Sequence, residues 1–294
     1  MRSRRAPIRQ PQIEQVCGWR IGVAANGPRS FRGNVMGLRE SEKVVVRAAL
    51  RSGWRKRSEP SCKFEEQGMD EKTKGLSPLY GIELLSQRAE MYKVLAQLYF
   101  RPLSSEQVNA LSEQDWESLA EDGSAAADAC NDIYRALRRM NTGTVDDLAA
   151  DFTAVFYGAS THDGKTAQPY ASLFMHDGNQ IMGEACSEAY HAFKSECIRV
   201  AQGIDMPDDH LSFMFEFMAK LCERAKLCVD ASDESEAVRI VSLQRTFLEK
   251  QVTPWVNDFL DLALSMVATR FYRGVIKLTG AFLNEEKQLL EEVG

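Results

Sequence analysis

The stretch from Leu84 to Pro102, LLSQRAEMYKVLAQLYFRP, decides the fold class. Its apolar side chains recur at intervals of three and four residues, at Leu84, Leu85, Met91, Leu95, Leu98 and Tyr99. That spacing places them on one face of an α-helix, which can bury the face against other helices. The pattern stops at Arg101 because the residue before a proline avoids the helical conformation.

The same periodicity continues to about residue 290. It predicts a helix capped by Ser104 or Ser105 that runs to Leu119, a helix over 125–140, a helix capped by Thr144 that runs to Tyr157, and helices over 178–202 and 211–229. Asp233 or Ser235 is expected to cap a further helix. Thr253-Pro254, a cap followed by a first-turn proline, is expected to start a helix that continues to about residue 290 and bends near Gly274 or Gly280. Asp208 is placed to cap the helix 211–229. Residues 159–171 are the first long loop, and 204–207 form a short linker. No alternation typical of strands and no internal repeat is present, so we expect an all-α fold.

Charge is distributed unevenly along the chain. Residues 1–68 contain 15 Lys+Arg and 6 Asp+Glu, a balance of +9, whereas the remaining residues contain 21 and 36, a balance of −15. Residues 1–76 lack periodicity and mix Pro, Gly and Arg, so we expect a disordered basic segment. Glu65-Glu66-Gln67-Gly68 precedes Met69, and purine-rich glutamate codons are typical of a ribosome-binding site. Met69 is therefore our hypothesis for the natural start, with a basic arm for nucleic acid or anionic lipid as the alternative.

Cysteines and hydropathy indicate the compartment. The seven cysteines form no Cys-x-x-Cys pair, which is typical of reduced thiols in a cytosolic protein. The longest apolar stretch, 259–268, is interrupted by Asp261 and is shorter than the roughly 20 residues that span a bilayer. Arg4-Arg5 is followed by polar residues where an export signal needs apolar ones. We therefore expect a cytoplasmic protein without stable membrane insertion.

Residue types that carry catalysis or bind metals do not converge. Glu188 and His191 have the Glu-x-x-His spacing of a di-iron bundle, but no other histidine has glutamate three positions before it. His162, His176 and His210 lack partners at zinc spacing. Residues 158–166, GASTHDGKT, end like a phosphate-binding loop but have one residue too many and follow a helical pattern. We expect no metal and no cofactor, and favour a binding protein. The alternative is a helical enzyme or a nucleotide-dependent switch that uses this loop and His210.

Three segments carry a recognisable signature in a fixed order. They are 151–158, DFTAVFYG, then 168–174, QPYASLF, and then 206–218, MPDDHLSFMFEFM. With Trp255, Phe259, Phe271 and Tyr272 they resemble the TorD/DmsD family of redox-enzyme maturation chaperones, relatives of NarJ, over about residues 80–285. The resemblance implies a helical bundle of two lobes, about 77–203 and 207–292, joined by a short hinge. It also implies that the protein is not an enzyme.

The resemblance further implies a function. Such a protein is a cytoplasmic chaperone that binds the twin-arginine signal peptide of a molybdopterin oxidoreductase precursor, of the DMSO or TMAO reductase type, and holds it until cofactor insertion. Family members are monomers or homodimers, and no nucleic-acid partner is expected. The residues of the family pattern fall on Phe152, Phe156, Pro169, Tyr170, Ser172, Pro207, Asp209 and His210. Met206 stands where an acidic residue is common, so Asp205 is expected to supply that charge.

Electrostatics agree with this implied ligand. A twin-arginine signal joins a cationic region to an apolar one, so its receptor needs acidic groups beside an apolar groove. The charge of −15 attracts such a peptide over distances that salt limits to about 10 Å at 0.1 M. We expect the arginines to meet Asp205, Asp208 and Asp209, and the groove to be lined by Phe152, Phe156, Tyr170 and Phe174. The alternatives stay open: the aromatic residues pack the core, Asp208 only caps a helix, and His210 only fixes the hinge.

Overall fold

The computed structural model describes residues 81–121, 124, 126–175 and 181–291. The basic segment 1–76, the proposed start at Met69 and His176 lie outside this part of the chain. Within it the backbone is helical, and its β-type contacts are two isolated bridges. The all-α prediction is confirmed. None of the helices described is both long enough and apolar enough to cross a lipid bilayer.

The described residues form ten α-helices. In chain order they are α1 Ile82–Phe100, α2 Ser105–Ser112, α3 Trp116–Ala120, α4 Ala127–Leu137, α5 Thr144–Val155, α6 Glu184–Ser195, α7 Leu211–Asp230, α8 Glu234–Phe247, α9 Thr253–Met266 and α10 Arg270–Glu291. A 3₁₀ turn, Ala171–Leu173, lies in the loop between α5 and α6, and a π-helical turn, Leu248–Val252, joins α8 to α9.

Local caps set several helix starts as predicted. The Ser104 hydroxyl accepts from the Gln107 N–H, and the Gln107 side chain accepts from the Ser104 N–H, which is a capping box for α2. Asp233 accepts from the Glu236 N–H and caps α8. The predicted helix 104–119 is wrong in one respect, since it is split in two. Asp115 caps a separate α3, and the indole of Trp116 turns back to donate to the Leu111 carbonyl.

Three other predicted helix ends or caps differ from the structure. The helix predicted over 178–202 ends at Ser195, because Cys197 takes a left-handed φ of 57°. The N–H groups of Cys197 and Ile198 bond the carbonyls of Lys194 and Phe193, which is a Schellman ending without glycine. Thr144 is the first residue of α5 and not its cap. The helix predicted from Thr253-Pro254 is present as α9, with Pro254 in its first turn. Thr253 is its first residue and not its cap, and a π-helical turn precedes it.

The helix predicted to continue from Thr253 to about residue 290 is not continuous, and its bend near Gly274 or Gly280 stays a prediction. The chain breaks at residues 267–269, between α9 and α10. There the carboxylate of Asp151, from α5, accepts from the N–H groups of Ala268 and Thr269 and from the Thr269 hydroxyl. A side chain more than a hundred residues away in sequence therefore sets the start of α10.

The core is rich in aromatic rings. Tyr99 packs edge-on against Phe156 and Phe259, and Phe156 packs edge-on against Tyr272. One cluster of buried apolar side chains includes residues from both sides of the predicted hinge. The division into lobes 77–203 and 207–292 stays a prediction.

A buried ion pair crosses this core. Arg88 of α1 donates to both carboxylate oxygens of Glu286 of α10, at 2.7 and 2.9 Å. The same carboxylate accepts from the hydroxyl of Tyr92 at 2.8 Å, and Arg88 also donates to the Gln244 side chain of α8 at 2.6 Å. Burial and the carboxylate of Glu286 raise the pKa of Tyr92, so that its hydroxyl stays a donor. The network ties α1, α8 and α10 together.

Helices α4 and α10 meet at Gly274. A Cβ atom there would lie 2.7 Å from Ile133 Cγ1 and 2.8 Å from the carbonyl oxygen of Ala129, whereas one at Gly280 would lie 3.5 Å from Leu260 Cδ1. We expect Gly274→Ala to lower the free energy of unfolding by about 2 kcal/mol through overpacking. Gly280→Ala should raise it by up to about 1 kcal/mol, because alanine favours the helix and finds room. Urea unfolding of both variants tests this, and stabilisation by Gly274→Ala would contradict it.

Candidate functional site

The second and third signature segments lie against each other. The Leu211 N–H donates to the Pro169 carbonyl at 2.8 Å, and the Ala171 N–H donates to the Asp209 carbonyl at 3.2 Å. Tyr170 and His210 thereby form an isolated antiparallel bridge, and their rings pack edge to face at 4.8 Å. The fold therefore brings together Pro169, Tyr170, Ser172, Asp209 and His210, which the sequence separates by up to about 40 residues.

Asp209 holds this junction from inside. Its side chain is fully buried, and its Oδ2 accepts from the Ser172 N–H at 2.8 Å, at the start of the 3₁₀ turn. Its Oδ1 and the Ser172 hydroxyl are buried without a hydrogen-bond partner in the part of the chain described. An unpaired buried polar atom costs about 1–3 kcal/mol, so this junction keeps two groups that the fold does not satisfy.

His210 caps α7. Its Nδ1 accepts from the Ser212 N–H at 3.2 Å, which assigns the ring proton to Nε2. The expectation that Asp208 caps this helix is wrong, because the chain between Asp208 and α7 is shaped by the bridge to Tyr170, and His210 occupies the cap position. Burial lowers the pKa of His210 to about 3. The imidazole is therefore neutral near pH 7.

The depressed pKa of His210 predicts a loss of stability in mild acid. An unfolded histidine has a pKa of about 6.5, so below that pH the unfolded chain gains a proton that the folded chain refuses. Stability from this group is complete above about pH 7 and falls as the pH drops towards 3. Between pH 7 and pH 5 we expect the free energy of unfolding to decrease by about 2 kcal/mol more in the wild type than in His210→Asn, which keeps a cap acceptor. Urea unfolding at both pH values measures this, and parallel decreases would contradict it.

The aromatic residues of the first segment are core residues. Phe152 and Phe156 are buried and contact each other, and Phe152 also contacts Tyr272. Pro169 is buried as well, and Phe174 stacks on Trp255. In this conformation they pack in the core behind the joined segments, and their direct contact with a peptide stays a prediction.

The exposed edge of the site has acidic and aromatic groups. Asp205 is exposed, and Asp208 and Tyr170 are half-buried. Burial, and then the charge of Asp209, raises the pKa of Asp208. Neither Asp205 nor Asp208 forms an ion pair with another described residue. Two acidic groups of the segment that pairs with Tyr170 therefore have no described ion-pair partner and are available to a cation.

Sequence reasoning missed neighbours of this edge. Tyr157, which ends the first segment, is exposed, and its carbonyl accepts from the Gln168 side chain. The thiol of Cys186, on α6, lies beside the backbone N–H groups of Asp208 and Asp209, and burial raises the pKa of that thiol. The exposed tyrosine could have been found from its place in the signature. Cys186 could not, because only the packing of α6 brings it here.

The phosphate-loop interpretation finds no support in the local geometry. His162 and Lys165 exchange two backbone hydrogen bonds around Asp163 and Gly164, both at positive φ, which makes a tight turn. The residues after it lead to the 3₁₀ turn, and not to a helix whose N-terminus could hold phosphate. Within the described residues there is no group of three or more side chains placed to ligate a metal ion.

Comparisons with known proteins agree with the signature. Residues 119–261 match the model of a family described as nitrate reductase delta subunit. Chaperone protein TorD of Vibrio cholerae is 25% identical over 216 residues, 71% of this chain and 94% of the relative. TorD of Vibrio vulnificus is 28% identical over 202 residues, 66% of this chain and 90% of the relative. TorD of Shewanella pealeana is 24% identical over 216 residues, 69% of this chain and 90% of the relative.

A solved structure of a candidate redox enzyme maturation protein from Archaeoglobus fulgidus is 18% identical and covers 69% of this chain and 93% of its own. Its TM-score of 0.38 is too low to support a comparison of the folds. The family match includes all three signature segments, and the curated relatives are named chaperones and not enzymes. Over these residues the chain is similar to the TorD/DmsD family of redox-enzyme maturation chaperones.

Proposed function

We propose that this chaperone acts in the cytoplasm by binding the twin-arginine signal peptide of a molybdoenzyme precursor, and that it holds the precursor until the cofactor is inserted. The client is proposed to be a reductase of the DMSO or TMAO type, since the curated relatives are named TorD. The observation that carries the proposal is the pair of acidic side chains, Asp205 and Asp208, at the exposed edge of the joined signature segments.

The electrostatics of Asp208 favour a cationic ligand. Its pKa is raised because it is partly buried and because the carboxyl group of Asp209 lies close to it. A guanidinium placed there would offset both effects, since it supplies opposite charge and hydrogen-bond donors. The balance of −15 after residue 68 adds a longer-range attraction for an arginine-bearing peptide.

Apolar side chains near the same edge suit the hydrophobic part of a signal peptide. Tyr157 lies close enough to Tyr170 to influence the pKa of the latter, and both rings are partly or largely exposed. Ile181 and Met182, just before α6, are also exposed, Met182 by 74%. A methionine side chain adapts to ligands of different shape. We propose that these side chains contact the apolar region of the peptide.

The buried members of the signature have a supporting role in this proposal. Asp209, His210 and Ser172 fasten the two segments together, while Phe152, Phe156 and Pro169 pack beneath them. We propose that they fix the positions of Asp205, Asp208 and Tyr170, which contact the peptide. Whether the working unit is a monomer or a homodimer stays a prediction.

Isothermal titration of the full chain tests the proposal. The probe is a synthetic peptide with an Arg-Arg pair before an apolar region, and its Lys-Lys counterpart is the matched peptide. We expect micromolar or tighter binding of the first, at least fivefold weaker binding of the second, and a further loss as salt rises. Asp205→Asn with Asp208→Asn should weaken binding at least fivefold.

The control variant is Asp258→Asn with Asp261→Asn, which removes the same charge from the exposed side of α9. It should keep the peptide affinity within about twofold of the wild type, because salt screens most of the long-range effect of charge. Equal losses in the two double variants would show that only net charge matters. No binding of any twin-arginine peptide would refute the proposed function.

A further inference from the structure

A basic groove lies on α4, within a body that is otherwise strongly acidic. Its volume is about 660 Å³, and its walls are Asn131, Tyr134, Arg135, Arg138 and Arg139. The three arginines are exposed. None of them forms an ion pair with a carboxylate among the residues described. Three guanidinium groups are therefore gathered around one concave surface, where the carboxylate of Glu117 is bonded to Tyr134 and not to an arginine.

The groove is held in place from behind. The opposite face of α4 buries Cys130, Ile133 and Leu137, and the close contact at Gly274 fixes its distance from α10. The acidic residues of that face, Asp128 and Asp132, are already paired with Lys277. They are consequently not available to neutralise the arginines.

One side chain inside the groove orients an arginine. Arg138 donates to the Tyr134 hydroxyl at 3.2 Å, and its guanidinium lies 5.7 Å from the centre of the same ring. A hydrogen bond to Glu117, chiefly, raises the pKa of Tyr134. The chain from Glu117 through Tyr134 to Arg138 limits the positions that this guanidinium can take.

The simplest structural role of these arginines is to complement the helix dipole, because they lie at the C-terminal end of α4. That role is satisfied by charge near the helix axis and does not require the side chains to surround an open space. A guanidinium is also a planar fork that binds a carboxylate through two parallel hydrogen bonds. Three such forks around one groove are suited to an anionic ligand.

We propose that this groove binds a short acidic peptide segment of a protein partner. From Asn131 to Leu137 the helix rises about 9 Å, and Arg138 and Arg139 follow its end, so the surface is long enough to meet two or three carboxylates. Arginine side chains bind phosphate as well as carboxylate, but the backbone N–H groups that a dedicated phosphate cradle adds are not part of this surface, which favours carboxylates. A long polyanion such as nucleic acid would also extend over a surface of net charge −15. We take the partner to be the client precursor of the proposed function, and the acidic segment to be part of its chain outside the signal peptide. In this respect the inference rests on the proposed function.

Fluorescence anisotropy with full-length protein tests the inference. The probe is fluorescein-labelled octaglutamate, and octaglutamine is its uncharged counterpart. The patch variant is Arg135→Gln, Arg138→Gln and Arg139→Gln. The control variant is Arg199→Gln, Lys226→Gln and Lys250→Gln, which removes the same charge outside α4, at residues without a described ion pair. Circular dichroism and thermal unfolding confirm that both variants fold.

We expect octaglutamate to bind the wild type, octaglutamine not to bind, and the patch variant to bind octaglutamate at least tenfold more weakly. The control variant should stay within threefold. The inference is overturned if octaglutamate does not bind, or if both variants lose the same affinity. It is also overturned if a single-stranded oligonucleotide binds more tightly than octaglutamate through the same arginines. The same holds if sedimentation shows that the wild type is a dimer and the patch variant a monomer. The patch variant should keep its twin-arginine peptide affinity, so failure of either proposal leaves the other measurable.

Discussion

Glu286→Ala is expected to lower the free energy of unfolding by about 3–5 kcal/mol, the effect of leaving a buried charge without its partner. The guanidinium of Arg88 and the carboxylate of Glu286 are each only 3% exposed. Removing the carboxylate leaves Arg88 charged in the core with Gln244 as its only other described acceptor. The Tyr92 hydroxyl would lose its acceptor at the same time.

Replacing both members of the pair separates this penalty from the value of the pair itself. Arg88→Met with Glu286→Leu should cost clearly less than Glu286→Ala alone, because apolar side chains of similar size fill the space without a buried charge. Urea unfolding of Arg88→Met, of Glu286→Leu and of the double variant gives the coupling energy between the positions.

The exposed pair between Arg245 and Glu249 provides the control. Glu249→Ala should cost less than about 1 kcal/mol, since a solvated ion pair one helical turn apart contributes little. If Glu286→Ala cost no more than Glu249→Ala, the buried pair would have no special role in joining α1 to α10.

The fold follows from the sequence wherever the signal is local. The apolar periodicity predicts α1 to within two residues, and Ser104 and Asp233 cap the helices that they precede. Helix ends without a local signal are missed. Cys197 ends α6 in a conformation that usually indicates glycine, so the sequence predicts a helix that continues.

The site shows the same division. Its segments can be identified from the residues of the family signature, because those residues lie close together within each segment. The bond from the Ser172 N–H to Asp209 spans 37 positions, and no pattern within either segment reveals it. The sequence also does not show which signature residues are buried. Asp209 and His210 are buried, whereas Asp205 is exposed and Asp208 is half-buried.

The second large effect on stability is expected from replacing Asp151, the first residue of the signature. Asp151→Ala is expected to lower the free energy of unfolding by about 3 kcal/mol, since three donors lose one carboxylate acceptor. These donors are the N–H groups of Ala268 and Thr269, at 3.0 and 2.8 Å, and the Thr269 hydroxyl at 2.6 Å. The Thr269 hydroxyl oxygen in turn accepts from the Tyr272 N–H, so the loss extends to the cap of α10.

Matched variants separate this junction from a general effect of charge. Asp151→Asn keeps one acceptor oxygen but turns a donor amide towards the other N–H groups, so about half of the loss should remain. Asp258→Ala removes an equal charge from the surface of α9 and should cost less than about 0.5 kcal/mol. Hydrogen exchange at the amides of Ala268 and Thr269 should accelerate in Asp151→Ala before the rest of α10 opens, because their acceptor is removed while the helix remains. Unchanged exchange at these two amides would show that Asp151 does not set the start of α10, and the signature aspartate would then need a role at the ligand.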